Sequence, residues 1–277
     1  MRRMYFLGVT TAQSSIHRLF PKWTALAGAN DAALVGIDLP VHAAPEQYRA
    51  AVRRIRDDSD GYGALVTTHK VGIYEHAADL FADFDADARL LGEVSCIVKR
   101  GDRLTGVAMD TVAGPLALQA LGWQGSSALI LGAGGAGLAL AVSLEGEVTL
   151  TDISAARLYK VRQLTSARCE LVAQPEDNDR SLQAMPPGSL IINATGMGKD
   201  RPGAPITAKA QFPPETLAWD FNYRGDLLFL EYARAQGIRA VDGWEYFLHG
   251  WTQIMARVFG FELTPALFHA MRAAEQQ

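Results

Sequence analysis

Apolar positions along the chain fall into short runs that alternate with amphipathic stretches. Met4 to Val9, Ala33 to Leu39, Gly63 to Thr67 and Ser95 to Lys99 are β-branched or aliphatic runs that predict strands. Between them Tyr48, Ala51, Val52 and Ile55 recur at helical spacing, so Pro45 to Ile55 predicts a helix with one apolar face and proline in its first turn. Gly101 to Asp110 reads as a hairpin return with a strand ending near Val107, and a long helix starts around Thr111, early enough for Pro115 to be tolerated. This order predicts βα units around a mostly parallel sheet.

The pattern restarts at Ser126. Ala128 to Leu131 predicts a strand, a glycine loop and an apolar helix follow, and Glu147 to Thr151 is the next strand, together a βαβ unit. Leu190 to Asn193, Leu217 to Asp220 and Ile238 to Val241 continue the strands, with a helix over Leu227 to Gln236, as in a doubly wound sheet. Asp177 to Ser181 reads as a polar loop. Glu245 to Phe259 is apolar and aromatic at helical spacing, and a last helix follows Pro265; both are expected to return to the first half of the chain. At 277 residues the chain is long for one core, so two domains are expected.

Composition narrows the function classes. With 49% apolar and 20% charged residues the chain has the makeup of a globular protein rather than a disordered one. A net charge of −4 and no basic stripe exclude charge-driven binding of nucleic acid. Cys96 and Cys169 show neither pair nor ligand spacing and read as reduced, buried thiols; His17, His42, His76 and His269 show no paired spacing, so no metal is expected. The apolar run after Met1 is too short for a signal-peptide core, and no stretch is long enough to span a bilayer, which makes cytoplasmic residence without a membrane partner the expectation.

The chemistry begins at Gly132-Ala133-Gly134-Gly135-Ala136-Gly137, a G-x-G-x-x-G loop directly after a strand and opening a helix. In a dinucleotide site the first glycine permits the turn, the second lets a diphosphate approach the backbone, and the third lets helix and strand pack. The helix start then offers N–H groups and a positive dipole end. Asp152 ends the following strand at the offset where an acid binds the adenosine ribose hydroxyls. A 2′-phosphate there would meet like charge, and the first basic side chain afterwards is Arg157, so NAD is expected over NADP. Asn193-Ala194-Thr195-Gly196-Met197-Gly198 reads either as the wall beside the nicotinamide or as an ordinary strand-ending turn. Ketone reduction also needs a proton, and Lys70 with Asp110, both following strands, form the best pair to hold and pass one; each alone reads more often as an ordinary surface charge.

From these motifs the chain resembles the shikimate dehydrogenase family. Val66-Thr67-Thr68-His69-Lys70 is similar to the family's V-T-x-P-x-K, Gly92-Glu93-Val94-Ser95-Cys96 to G-A-V-N-T, Ala108-Met109-Asp110 to N-T-D, Leu131 to Ala136 to its glycine loop, and Ile192-Asn193-Ala194-Thr195 to I-N-A-T. The resemblance implies an α/β substrate and catalytic domain over 1–110 and 245–277 and a Rossmann NAD-binding domain over 111–244. It also implies reversible reduction of 3-dehydroshikimate, as in aromatic amino acid biosynthesis, with Lys70 and Asp110 the catalytic pair. Ser14 and Ser15 would grip the substrate carboxylate, a place where they could equally be helix N-caps. Thr67 and Ser95 would add hydroxyl contacts, and Tyr223 would lie near nicotinamide and substrate. Gly132, Gly134, Gly135, Ala136, Gly137, Asp152, Asn193, Thr195, Gly196 and Met197 would hold the cofactor.

The chain departs from that pattern in four places. The Lys70 loop is one residue shorter, with His69 and no proline; Ser95 stands for an asparagine; Gly250 stands where the family carries a substrate-binding glutamine, with Gln253 one turn on and His249 adjacent; and Asp152 replaces a basic N-R-T motif of NADP-using members. A pocket that loses polar partners loses discrimination. The expected reaction is therefore NAD-dependent oxidation of a shikimate-like or quinate-like ring acid. A methylenetetrahydrofolate dehydrogenase-like enzyme and an inactive dinucleotide- or metabolite-binding sensor stand as alternatives, with a small carboxylate as partner and a homodimer left open.

Overall fold

The computed structural model describes residues 1–199 and 201–276. In the N-terminal part the apolar runs become β1 (Arg2–Gly8), β2 (Ala32–Asp38), β3 (Gly61–Val66), β4 (Asp83–Phe84), β5 (Cys96–Arg100) and β6 (Arg103–Val107). Their order is β2-β1-β3-β5-β6-β4, and only β5 runs against the others. The helices here are α1 (Ile16–Leu26), α2 (Pro45–Asp57), α3 (Lys70–Ala77) and α4 (Ala86–Leu91). As its spacing predicts, α2 buries Tyr48, Ala51, Val52 and Ile55, and they join Leu7, Val66 and Ile97 in one core. Gly63 sits at φ +149°, and a side chain there would overlap the Ile97 carbonyl across the antiparallel pair. The strand needs glycine at that point.

From Asp110 the chain forms α5 (Asp110–Leu121), β7 (Ser127–Leu131), α6 (Gly135–Ser143), β8 (Glu147–Asp152), α7 (Ala155–Leu164), β9 (Arg168–Leu171), α8 (Pro175–Gln183), β10 (Leu190–Asn193), β11 (Leu217–Asp220), α9 (Leu228–Arg234) and β12 (Arg239–Val241). All these strands are parallel, in the order β12-β11-β10-β7-β8-β9. The order reverses between β7 and β10, where ligands of doubly wound sheets bind outside the carboxyl ends. The two elements that complete the chain are α10 (Trp244–Phe259) and α11 (Pro265–Ala273).

The chain divides into two compact units, one of Met1–Met109 with the C-terminal residues from Gly250, the other Asp110–His249. The division falls inside α10. Its first turns stay with the second unit because Trp244 and Phe247 pack on Tyr223, with ring centroids 5.3 and 4.7 Å apart, and Tyr246 stacks on Phe221 at 4.6 Å. Its later turns belong to the first unit, where Trp251 meets Phe6 edge-on at 4.9 Å and the Val258 carbonyl accepts from Arg100. There α11 is fastened to α1 by the buried Trp23 indole, which donates to the Met271 carbonyl at 2.7 Å.

Lys70 lies just past a strand: β3 stops at Val66 and Lys70 opens α3, with buried His69 Nε2 3.1 Å from the Leu39 carbonyl in the turn between them. Two expectations need correction. Asp177 to Ser181 is not a loop but lies in α8. The Asp177 carboxylate receives the Ala173 and Gln174 N–H groups at 2.7 and 3.1 Å, Pro175 starts the helix, and the polarity of the segment hides these start signals. Cys169 is half-buried rather than buried, since it lies on β9, an edge strand too polar to announce itself. Among the described residues no helix is long and apolar enough to cross a membrane.

One contact inside α8 is decisive for that part of the fold. Buried Asn178 accepts from the Thr151 hydroxyl at 2.7 Å and donates to the Pro205 carbonyl at 2.8 Å. Asn178→Ala leaves both groups without a partner and is expected to lower stability by about 2–4 kcal/mol, read from the urea midpoint at unchanged slope. An unchanged midpoint would contradict this assignment.

Candidate functional site

In the second unit the strands end on a recurring side chain. Asp152, Asn193 and Asp220 are the last residues of β8, β10 and β11, and Asp242 follows β12. Each carries an oxygen that accepts the N–H two residues on: Ser154 at 2.8 Å, Thr195 at 3.1 Å, Asn222 at 2.8 Å and Trp244 at 3.0 Å. A strand that ends in a parallel sheet releases backbone N–H groups from the ladder, and a short polar side chain turns the chain by capping them. Four of the six strands of the sheet end this way.

Asp152 does more than turn its own strand. It is only 6% exposed, and its second oxygen accepts the Ala133 N–H at 2.7 Å, while Gly132 donates to the Thr151 carbonyl at 2.8 Å. The acid thus ties the glycine loop to β8. Arg157, in the first turn of α7, lies 3.8 Å from the same carboxylate and is well exposed.

The three glycines differ in what requires them. Gly132 has φ +106° and a side chain there would press on the Ala194–Thr195 peptide at 3.0 Å; at Gly137 a side chain would overlap the Gly132 carbonyl. Those two serve the protein's own packing. At Gly134 a side chain would meet no protein atom within 4 Å. Its smallness leaves an open cradle at the start of α6, where Leu138 makes the first helical bond back to Gly134 and the preceding N–H groups have no carbonyl within the helix to meet. A diphosphate fits these features, having charge for the dipole and acceptors for the N–H groups. Beyond Asp152 lies an open cleft of about 720 Å³ lined by apolar Ile153, Leu171 and Val172 and by charged Arg168, Glu170 and Arg180, with Ile153 and Leu171 both exposed.

The Asn193–Gly198 turn is held from beneath. Asn193 Oδ1 accepts from the Thr195 N–H and hydroxyl, its amide donates to Asp220 at 2.7 Å and to the Met197 carbonyl at 3.1 Å, and Gly196 and Gly198 take φ +75° and +91°. Burial pushes the Asp220 carboxyl up to about 6, against the pull of hydrogen bonds from Asn222 and Asn193, with Asp242 adding to the rise. Tyr223 sits three residues beyond Asp220 in the aromatic group with Trp244 and Phe247.

In the first unit the carboxyl ends of β1, β2 and β3 gather the remaining candidates. Asp38 accepts the Thr11 N–H at 2.8 Å, which fixes the turn leading to Ser14 and Ser15. Ser15 is the N-cap of α1 without a side-chain cap bond, and the Ser14 hydroxyl accepts from Ile16 at 3.4 Å. The Thr67 hydroxyl donates to the Leu7 carbonyl at 3.1 Å, and the Lys70 carbonyl accepts from Val94 at 3.0 Å. Ser95, 1% exposed, accepts the Met109 N–H at 2.6 Å. Its hydroxyl is engaged within the β5–β6 pair and fixes the segment that leads into Asp110, the first residue of α5. Gln253 is half-buried on α10, and at Gly250 a side chain would meet nothing within 4 Å. Among the described residues no group of three His, Cys, Asp or Glu side chains is placed to hold a metal ion.

Known proteins are similar to this chain in sequence and in fold. The shikimate dehydrogenase (NADP(+)) of Xanthomonas euvesicatoria pv. vesicatoria is 32% identical over 243 residues, 83% of this chain and 79% of that protein. The chain belongs to the shikimate dehydrogenase family. The shikimate dehydrogenase (NADP(+)) of Streptococcus gordonii is 30% identical over 175 residues, and the match spans 58% of this chain and 60% of that protein. The crystal structure of shikimate 5-dehydrogenase from Thermus thermophilus in complex with shikimate superimposes with TM-score 0.75 at 25% identity and covers both chains fully. No protein-family model matches the chain. Shikimate dehydrogenases are NAD(P)-dependent oxidoreductases acting on a CH–OH group, and a nicotinamide dinucleotide suits the loop, helix start and acid described above.

Asp220, Asn222 and Asp242 go unmarked among the sequence candidates although their signal is present. The segments ending TLTD, LIIN, LAWD and RAVD are each an apolar run closed by Asp or Asn. The two glycine roles separate by mutation. Gly137→Ala is expected to destabilise the second unit, lowering the thermal midpoint by several degrees, and Gly134→Val to keep the midpoint while weakening NADH binding, followed by fluorescence, about ten-fold or more. Equal thermal losses in both variants would contradict the open cradle at Gly134.

Proposed function

We propose that this shikimate dehydrogenase family member interconverts a hydroxylated ring carboxylic acid of the shikimate class and its 3-keto form, using NAD, in the cytoplasm. The observation that carries the cofactor half is the Gly134 cradle at the start of α6, next to a loop tied to Asp152. The first unit serves as substrate and catalytic domain, the second as dinucleotide domain. Gly132 to Gly137 hold the diphosphate and Asp152 the adenosine ribose. Ile153 and Leu171 offer apolar surface to the adenine, and Asn193, Thr195, Gly196 and Met197 flank the nicotinamide.

NAD is favoured here although the curated relatives are named for NADP(+). A 2′-phosphate would lie against the Asp152 carboxylate, and Arg157 is already drawn to that acid. Like charge at short range disfavours the phosphorylated sugar. NADH is expected to bind about ten-fold more tightly than NADPH in fluorescence titrations. Tighter NADPH binding would overturn the preference and leave the family assignment intact.

When bound, the dinucleotide supplies the hydride acceptor. The protein's share is to seat the ring and move the alcohol proton. Ser14 and Ser15 bring hydroxyl donors to the substrate carboxylate, the Thr67 oxygen, whose proton goes to the Leu7 carbonyl, accepts from a ring hydroxyl, and Tyr223 and Gln253 border the ring. The Lys70 amine takes the proton of the reacting hydroxyl while Asp110 accepts a hydrogen bond that orients it. Ser95 acts through the Met109 N–H, setting the segment that carries Asp110. Lys70→Ala should cut kcat by about 10²–10⁴-fold and leave NADH affinity within about two-fold; equal loss of both would remove Lys70 from proton transfer.

Gly250 favours a variant of this reading. The open space above it, at the place where the family pattern given above has glutamine, removes a polar partner from the ring and suits a bulkier or less hydroxylated acid. Shikimate, quinate, aminoshikimate-like acids and a folate substrate, each tested with NAD at the nicotinamide absorbance, assign the reaction. Turnover of a ring acid is expected. No turnover on any of them, with NADH binding intact, would favour a metabolite sensor, and turnover of the folate alone would favour the methylenetetrahydrofolate dehydrogenase type.

A further inference from the structure

The Met197 carbonyl is held from two directions. Asn193 donates to it at 3.1 Å and Asn222 at 3.2 Å. Both amides are set by one anion: Asp220 accepts the Asn193 side-chain N–H at 2.7 Å and the Asn222 backbone N–H at 2.8 Å. Phe221 adds a main-chain bond to the Asn193 carbonyl at 3.1 Å, so the two strand ends are coupled. The turn held in this way passes through two glycines at positive φ, a conformation that is fixed by its surroundings rather than by the chain itself.

Asp220 is wholly buried, and among the described residues no basic side chain bonds to it. The charged group that acts on it is Asp242, another anion. On the neighbouring loops Arg201 donates to the Thr195 carbonyl at 3.2 Å and Asp226 accepts the Gly203 N–H at 3.2 Å, so both are engaged elsewhere. A buried carboxylate without a cation is costly. Asparagine would avoid that cost, yet it would point an NH₂ group at one of two donors, while a carboxylate accepts with both oxygens. The charge is retained where the hydrogen-bond pattern admits nothing else.

We propose that Asp220 is a positioning residue for the dinucleotide: ionised, it orients Asn193 and Asn222 so that the Asn193–Gly198 turn holds the nicotinamide half, and protonation loosens that hold. This rests on the assignment of that turn to the cofactor. Because burial raises this carboxyl to about 6, the switch falls close to neutral pH. The sign separates positioning from stability. A carboxyl raised on folding adds stability below the ordinary carboxylate range and loses it as pH rises through about 6. Acidification through that range therefore firms the fold through this group while it weakens cofactor binding.

The test is NADH titration by fluorescence from about pH 5 to about pH 8, with thermal midpoints measured alongside. In the unaltered protein the Kd should rise about ten-fold on acidification, the loss of one charge-assisted hydrogen bond, with its inflection near 6 and no fall in the midpoint. Asp220→Asn should bind NADH about ten-fold more weakly at neutral pH and lose the inflection; the exchange variant Asp220→Asn with Asn193→Asp should recover part of the affinity. Unchanged affinity in Asp220→Asn, or an inflection that survives it, overturns the proposal. Should Asp220→Asn fail to fold, a flat profile in the unaltered protein overturns it equally. Gly134→Val separates the two levels: loss of NADH binding there with none in Asp220→Asn rejects the proposal and keeps the nucleotide site, whereas no loss in either rejects both.

Discussion

A parallel strand that stops must dispose of backbone N–H groups that the sheet no longer pairs, and in the second unit every strand from β8 to β12 except the edge strand β9 meets this need with Asp or Asn at its carboxyl end. Asp152, Asn193, Asp220 and Asp242 each cap the backbone two residues on. The cost of leaving such groups unpaired in a buried edge is a large fraction of a domain's net stability. Function then grows on what stability demands. The remaining oxygen of Asp152 binds the glycine loop, and that of Asp220 accepts the Asn193 side-chain N–H and so knits two turns together.

The division of labour between packing and ligand is clearest in the glycine loop. Gly132 and Gly137 are required by carbonyls and peptides of the protein itself, while Gly134 meets nothing. A residue that gives up helix propensity or backbone rigidity for no internal contact marks a place where something outside the chain approaches. Gly250 has the same signature in the middle of α10, where an alanine would be favoured by about 1 kcal/mol. The two open glycines bracket the questions of cofactor and substrate in this shikimate dehydrogenase family member.

Much of this is legible in the sequence wherever burial imposes a period. Leu190–Asn193 and Leu217–Asp220 coincide with the strands found, and α2 buries the four residues that its spacing selects. Legibility fails where polar atoms hold the chain. Helix α8 starts on the Asp177 carboxylate and turns Asn178 inward, so its composition looks like a loop. Strand β9 lies at an edge and needs no apolar run. The start of α3 at Lys70 is not legible either, because the buried ring of His69 in the turn before it is invisible to hydropathy. Ser95 reads as a ligand contact, but its hydroxyl receives the Met109 N–H, a pairing set by the antiparallel return of β6.

The central claim is that the edge formed by Gly132, Gly134 and Asp152 receives a dinucleotide. Difference density from a crystal soaked in NADH tests it most directly. The diphosphate should lie on the N–H groups that open α6, with the adenosine ribose hydroxyls on Asp152. A nucleotide bound elsewhere, with that edge empty, would contradict the account.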